Sequence, residues 1–449
     1  MSHAPIPRGS VIGILGNGPL GRMLAEAARE TGYRAWVLGP GINSPAGQVA
    51  DREFDADFSD PGAVAEFARG ADVITVESEH IPAECLRALG GHSILRPDPE
   101  IVLMAQSRIA AKTWLRDRGF PMSDFVWVRS RAELDDAIDL LGAPVVLKNC
   151  RAGRRGHGVI EIAAGDDLDQ AWGAMRGEEA ILEARVDFRC ELSGACARGA
   201  SGETRCFPVS QSLRHRHIPV LTRAPAEIPP DVAQRAQAMA LQIAQSARAI
   251  GVMTVEFFLQ ADGSILVNEM APAPQATGLF SGDACSSSQF QHHILAITNR
   301  PLHKIEQKEP ATTVGILGDL WFQSPPPFDA MRALPRAHLH FYGKADPKPL
   351  DEMGHLTVLG ELEGPVRESL ERLAIEQVFY PPKPPSPDDI IEGRLAQRPF
   401  EPFTISLVDG RSFLVDEPAA IARLRGAFVH QSKEGSVTSF APDDVSAVR

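Results

Sequence analysis

Apolar positions along this chain fall into short runs whose period changes from region to region. Val11 to Leu15 is an unbroken apolar run, as in a strand buried on both faces of a parallel sheet. Glycines follow at 16, 18 and 21, and Leu20, Leu24 and Ala27 then take helical spacing ahead of a second strand through WVLGP. Further runs at Val73–Val76 and Ser93–Leu95 continue the alternation, which predicts a doubly wound α/β domain over about residues 10–105. Met104 to Arg118 reads as a helix with Arg108 and Lys112 four apart on one face. A new α/β unit follows and ends in the strand Pro144–Lys148.

Residues 179–194 and 203–210 read as strands, and 231–249 as a long helix rich in Ala and Gln. The stretch GVMTVEFFLQADGSILVNEM reads as a hairpin turning at Asp262-Gly263. Short strands fill 310–360, and PPKPPSP at 381–387 is a proline-rich linker. Beyond it FTISLV, RSFLV, GAFVHQ and SVTSF alternate as strands, with a turn at Asp409-Gly410, and predict a small β-rich module.

A chain of 449 residues exceeds one ordinary core, so two to four domains are expected. No apolar run is long enough to span a bilayer, and MSHAPIPRGS lacks the apolar segment of a signal peptide. A net charge of −13 argues against a nucleic-acid surface. The six cysteines form no C-x-x-C pair and read as reduced thiols. The expectation is a cytoplasmic protein with no membrane or nucleic-acid partner.

Candidate chemistry begins at Lys148, which ends a strand just before a loop holding Gly153, Gly156 and Gly158. Backbone N–H groups in such a loop can approach an anion where no Cβ intervenes. The G-N-G-P-L-G at 16–21 fits the dinucleotide fingerprint, but Gly39 stands where that fold needs an acid, so a plain tight turn is the better reading. In the hairpin, a two-residue type I′ turn at Asp262-Gly263 sets Glu256 opposite Glu269. Directly opposed carboxylates about 5 Å apart repel unless a cation lies between them. Asn268 adds an oxygen, as a Mg²⁺–phosphate site requires. Two solvated glutamates are the bland alternative, which the apolar Val255, Phe257, Phe258, Leu266 and Val267 oppose.

Lys148 with its glycine loop, I-L-E-x-x-V at 181–186, E-L-S at 191–193, V-E-F-F at 255–258 and N-E-M-A-P at 268–272 together resemble the ATP-grasp superfamily. With GILGNGPLGRML, SPAGQVAD, DACSSSQFQHH and FYGKADPKPLDEMGHLTVLG, the resemblance over about residues 10–365 sharpens to the N5-carboxyaminoimidazole ribonucleotide synthetases. It implies an α/β ATP-grasp fold. Its parts would be an N-terminal α/β domain (1–105), an ATP-grasp lid and ATP/Mg-binding domain (106–305) and a β subdomain (306–380). The linker (381–387) and the β-rich module (388–449) have no counterpart in the family, and the module reads as an interaction or oligomerisation accessory. It further implies ATP and Mg²⁺ as cofactors, bicarbonate or another small carboxylate as first substrate, an amine acceptor with or without a phosphate, and a homodimer. By motif, Arg108 and Lys148 would contact phosphates and the loop Gly153, Gly156, Gly158 would close over them. Glu183 and the Val186 backbone would hold adenine, and Glu191 the ribose. Glu256, Asn268 and Glu269 would bind the metal.

Departures from the family gather on one side. Its loop runs roughly R-R-G-G-Y-D-G-K-G-Q, whereas Arg154 and Arg155 here replace the Tyr-Asp pair and His157 a lysine. After N-E-M-A-P the family's R-P-H-N-S-G-H has become Ala273 to Leu279, without the arginine and both histidines. Its E-N-x-H-R-D-G is Gln211 to His217, with Arg214 and Arg216 as new cations. Pro19 replaces a glutamine, and His80 the asparagine after Glu77 and Glu79. ATP-side positions are mostly kept and acceptor-side positions mostly rewritten. The expectation is therefore an ATP-dependent ligase with a changed acceptor, with Arg154, Arg155, Lys148 and Glu269 in the chemistry and Arg214 at the phosphates. The alternative is a true N5-carboxyaminoimidazole ribonucleotide synthetase with a relocated phosphate site. A non-catalytic ATP-binding regulator is a third reading, opposed by the retained metal carboxylates.

Overall fold

The structure, a computed structural model, describes residues 4–89, 94–151, 158–176, 178–215, 218–323, 326–376, 391, 395, 402–407, 411–417, 421–424, 427–431, 437–440 and 445–448. The chain separates into two units, 1–378 and 379–449. The predicted linker 381–387 and the turn Asp409-Gly410 lie outside the described residues.

In the first unit a five-stranded parallel sheet runs Arg52–Asp55, Arg34–Gly39, Val11–Leu15, Val73–Val76, Ile94–Leu95. Val11–Leu15 lies at its centre and is buried throughout, which is why its sequence shows no polar alternation. The helix Pro19–Glu30 follows at once, with Pro19 in the first turn where the missing N–H has no partner to lose. Its Leu24, Ala25 and Ala28 pack on one face of the sheet against Ile294 and Ile297, while Phe67 and Leu86 cover the other.

A smaller antiparallel sheet runs Phe125–Val128, Ala180–Ala184, Val145–Asn149, Val159–Ile162, backed by the helices Arg131–Leu141 and Leu168–Ala174. Val128, Leu134, Leu147 and Leu182 form its core. The Lys148 loop is the hairpin connection between Val145–Asn149 and Val159–Ile162.

The largest sheet has nine strands. Its order is Ile265–Ala271, Gly251–Leu259, Cys190–Arg198, Ser210–His215, Ile218–Ala224, Ala311–Leu317, Glu352–Leu359, Ala337–Phe341, with Thr204–Cys206 also on Cys190–Arg198. The helix Pro230–Ala247 lays Val232, Ala236, Ala240 and Ile243 on Leu192, Val255 and Phe257.

Two sequence expectations need correction. The hairpin does not turn through two residues. Gln260 N–H donates to Ser264 O (3.0 Å), Gly263 N–H donates to Gln260 O (3.1 Å), and Gly263 takes φ +85°, a three-residue loop closed by a left-handed glycine. Leu259 therefore faces Ile265, one residue out of the expected register. A bulge at Asn268 then cancels the slip, so Glu256 and Glu269 do face each other. The second correction concerns the cysteines: Cys196 and Cys206, opposite one another on adjacent strands, form a disulfide. Cys85, Cys150, Cys190 and Cys285 are free and buried.

The second unit contains two three-stranded antiparallel sheets. One runs Ser412–Val415, Phe403–Leu407, Val445–Val448 and the other Ile421–Leu424, Ala427–Gln431, Val437–Phe440. Phe403, Ile405, Val415, Phe428 and Phe440 share its core with Ile391.

Candidate active site

Arg108 and Lys112 share the buried face of the helix Arg108–Arg116, whose first turn is capped by the Ser107 hydroxyl. Arg108 N–H donates to Cys150 O (2.8 Å), and Ser107 bridges to Arg151, so the base of the Lys148 loop is fastened to this helix start. The Arg108 guanidinium donates to the carbonyls of Asn149 (3.0 Å) and Arg151 (3.1 Å), leaving its Nε for Glu269 Oε1 at 3.2 Å. At the far side of the loop Gly158 has φ +75°, and a Cβ there would meet the Asn149 amide at 2.6 Å. Gly153, Arg154, Arg155, Gly156, His157, Arg216 and His217 lie outside the described residues.

Lys148 and Glu183 are diagonal neighbours on one face of the smaller sheet, because Glu183 stands opposite Val146. Glu183 Oε2 lies 3.1 Å from Lys148 Nζ and 3.1 Å from Lys112 Nζ. Burial alone would raise the Glu183 pKa, but the two ammonium groups hold it below the ordinary glutamate value. Burial dominates at Lys112 and lowers its pKa despite Glu183. Glu183 was expected to hold adenine. Oε2 is instead engaged by two lysines, and only Oε1, buried and without a partner, is open to a further donor. Val186 is half-buried in the otherwise exposed loop before Cys190–Arg198. Lys112 was not among the expected site residues; its position four residues from Arg108 was the available signal.

Glu256, Asn268 and Glu269 meet on the hairpin, and all three line a cavity with Glu79, Arg108, Lys112 and Gln275. Asn268 Oδ1 is buried there with no hydrogen-bond partner. Burial pushes the Glu269 pKa up, but Arg108 and Lys148 outweigh it and bring the group down to about 2. Glu256 goes the other way: burial raises its pKa, and its ion pair with Arg214 does not offset that against Glu269 and Glu79. Arg214 also lies 2.5 Å from Glu191 Oε2, so the residue expected at the phosphates and the one expected at the ribose are paired with each other.

Beside Glu256 and Arg214 a second, wider cavity opens toward the glycine turn, lined by Glu77, Glu79, His80, Lys344 and Glu352. Glu77 Oε2 accepts from Gly18 N–H at 2.8 Å at the start of the helix Pro19–Glu30. The Glu77 carboxylate fills the space over Gly16 and Gly18, which explains these glycines without a dinucleotide. A helix N-terminus that would attract an anion is thereby already neutralised.

Cations from a helix start and a small antiparallel sheet, closing over opposed carboxylates on a large one, define an ATP-grasp enzyme. Residues 113–290 match the ATP-grasp domain, 10–106 the ribonucleotide synthetase preATP-grasp domain, and 311–369 the phosphoribosylaminoimidazole carboxylase C-terminal domain. The chain is 36% identical over 366 residues to the N5-carboxyaminoimidazole ribonucleotide synthase of Bacillus subtilis, covering 81% of this chain and 95% of that protein. A solved ADP complex of an N5-carboxyaminoimidazole ribonucleotide synthetase is 36% identical, with a TM-score of 0.77 over 83% of this chain and 96% of that one. The Aspergillus clavatus N5-carboxyaminoimidazole synthase, solved with ADP and 5-aminoimidazole ribonucleotide, is 28% identical with a TM-score of 0.75, covering 83% and 99%. The chain therefore belongs to the N5-carboxyaminoimidazole ribonucleotide synthase family and is an ADP-forming ATP-grasp carbon–nitrogen ligase.

Proposed function

We propose that this chain uses ATP and bicarbonate to carboxylate the amine of aminoimidazole ribonucleotide, giving N5-carboxyaminoimidazole ribonucleotide. The observation that carries the reading is the cage itself. Arg108, Lys112 and Lys148 converge with Glu183, Glu269 and the unpartnered Asn268 Oδ1, on a chain that spans 95% of a relative named for that product. Glu269 and Asn268 offer the hard oxygen donors that suit Mg²⁺, and Glu256 faces Glu269 across the hairpin. Bound there with ATP, Mg²⁺ would neutralise charge on the transferring phosphoryl group. Arg108, Lys148 and the loop 153–158 hold the phosphates, Glu183 Oε1 and the Val186 backbone the adenine, and Glu191 the ribose.

A bicarbonate oxygen attacks the γ-phosphorus and ADP leaves, forming carboxyphosphate. The acceptor amine then attacks the carboxyl carbon, phosphate departs with the bridging oxygen, and the amine gives up a proton. The protein's contribution is to position these groups and to keep water from the labile intermediate. The family's homodimer is part of this reading, and sedimentation of the full chain checks it.

One observation favours a second reading, an acceptor that carries no phosphate. The wider cavity holds Glu77, Glu79, Glu256 and Glu352 against Lys344 and an Arg214 already paired twice. ADP release with ATP, Mg²⁺ and bicarbonate, compared with aminoimidazole ribonucleotide and with its 5′-dephosphorylated riboside, separates the two. Stimulation by the nucleotide, with carboxylated product, establishes the first reading. Stimulation by the riboside alone establishes the second, and ATP binding without turnover points to a regulator.

A further inference from the structure

The two carboxylates that face each other across the hairpin have different partners. Glu269 pairs with Arg108, and 42% of its side chain still faces the cavity. Glu256 is engaged by Arg214, whose side chain is 18% exposed. Arg214 stands on Ser210–His215, just where pairing with Ile218–Ala224 shifts register after Leu213. Such a shift re-aims a side chain. From there the guanidinium spans neighbouring strands. Its Nε meets Glu191 on Cys190–Arg198 at 2.5 Å and its Nη2 meets Glu256 on Gly251–Leu259.

A planar, permanently charged fork holding two carboxylates is hard to displace. A metal ion on Glu256 would have to evict it, stranding a guanidinium in a mostly buried place beside Glu191. Glu269 is also held by a guanidinium, but only through Arg108 Nε and with 42% of its side chain exposed against 19% for Glu256, and the adjacent Asn268 Oδ1 is free of partners.

We propose that Arg214 is a resident cation that takes Glu191 and Glu256 out of metal binding, so that this chain holds a single divalent ion with its nucleotide, on Glu269 and Asn268. The proposal rests on the ATP–Mg²⁺ reading above, and it makes Arg214 a residue that sets metal number. It also gives the replacement of the family's histidine at this position a physical consequence. A neutral imidazole leaves both carboxylates to attract a cation, whereas a guanidinium satisfies them.

The test is a count of bound Mn²⁺ by electron paramagnetic resonance on the full chain with the non-hydrolysable ATP analogue AMP-PNP, whose own binding is followed by calorimetry. Wild type is expected to hold one Mn²⁺ per chain. Arg214→Ala is expected to hold two, and the charge-preserving Arg214→Lys one. Glu269→Gln is expected to weaken the single ion at least about tenfold. Thermal melts confirm that each variant is folded. Two ions in the wild type, or one in a folded Arg214→Ala, overturns the proposal while leaving the nucleotide reading in place. Failure of wild type to bind AMP-PNP removes both.

Discussion

The cage proposed for ATP and the wider cavity proposed for the acceptor share a wall at Glu256, yet their charges are balanced in opposite ways. In the cage Glu183 has Lys112 and Lys148, and Glu269 has Arg108, each within about ion-pair distance. In the cavity Glu77 rests on a helix N-terminus, Glu79 Oε2 is buried without a partner, and Arg214 is spent on Glu191 and Glu256. Cations packed among ordered carboxylates suit a polyphosphate with its metal, because the ligand can exchange partners with groups already in place. A cavity dominated by carboxylates favours an amine and opposes a phosphate monoester.

The largest effect should come from the cage. Lys148→Ala is expected to lower ADP release about 10²–10³-fold, as for removal of a preorganised donor from a developing charge. A variant near wild-type rate would move the phosphoryl group elsewhere. Next is stability: Glu183→Ala leaves Lys112, whose side chain is 4% exposed, without its carboxylate. Breaking a buried pair from one side costs about 3–5 kcal/mol. Urea unfolding should show that loss, and a change within error would mean that the triad is solvated.

Smaller effects probe the cavity. Glu352→Gln removes one negative charge and is expected to lower KM for a phosphorylated acceptor about fivefold, from roughly 1 kcal/mol of relieved repulsion. An unchanged KM would place the phosphate away from that wall. The smallest effect separates the two hairpin carboxylates by pH. Glu269 has its folded pKa lowered to about 2 from 4.5, so its contribution is present above 4.5 and is lost as pH falls toward 2. The stability gap between wild type and Glu269→Gln should therefore close on acidification. It should be modest throughout, because the side chain is 42% exposed. Glu256 has a raised folded pKa, so ionising it opposes folding at neutral pH, and acidification should relieve that cost. Urea unfolding of Glu256→Gln across the same range should show a gap of opposite sign.

Local sequence pattern accounts for much of this. The apolar run Val11–Leu15, the alternation of the C-terminal strands and the apolar strands flanking Glu256 and Glu269 are statements about neighbours in sequence. The opposition of those two glutamates was legible, although a three-residue turn and the Asn268 bulge were not, since they cancel in the final register. What escaped depends on strands brought together from afar. The claim of Lys112 on Glu183 needs the helix Arg108–Arg116 to pack over Ala180–Ala184. The grip of Arg214 on Glu191 and Glu256 needs three strands side by side in an order that the chain does not follow. The Cys196–Cys206 bond likewise needs the register of two adjacent strands, which their spacing alone did not announce.

The central claim is that ATP activates bicarbonate for capture by an acceptor amine. The direct measurement is the fate of oxygen from ¹⁸O-labelled bicarbonate, followed by mass spectrometry of the phosphate released with ATP, Mg²⁺ and aminoimidazole ribonucleotide. The account predicts one ¹⁸O in each phosphate, with ADP and carboxylated product formed in equal amounts. Unlabelled phosphate, released at the same rate without bicarbonate, would contradict it.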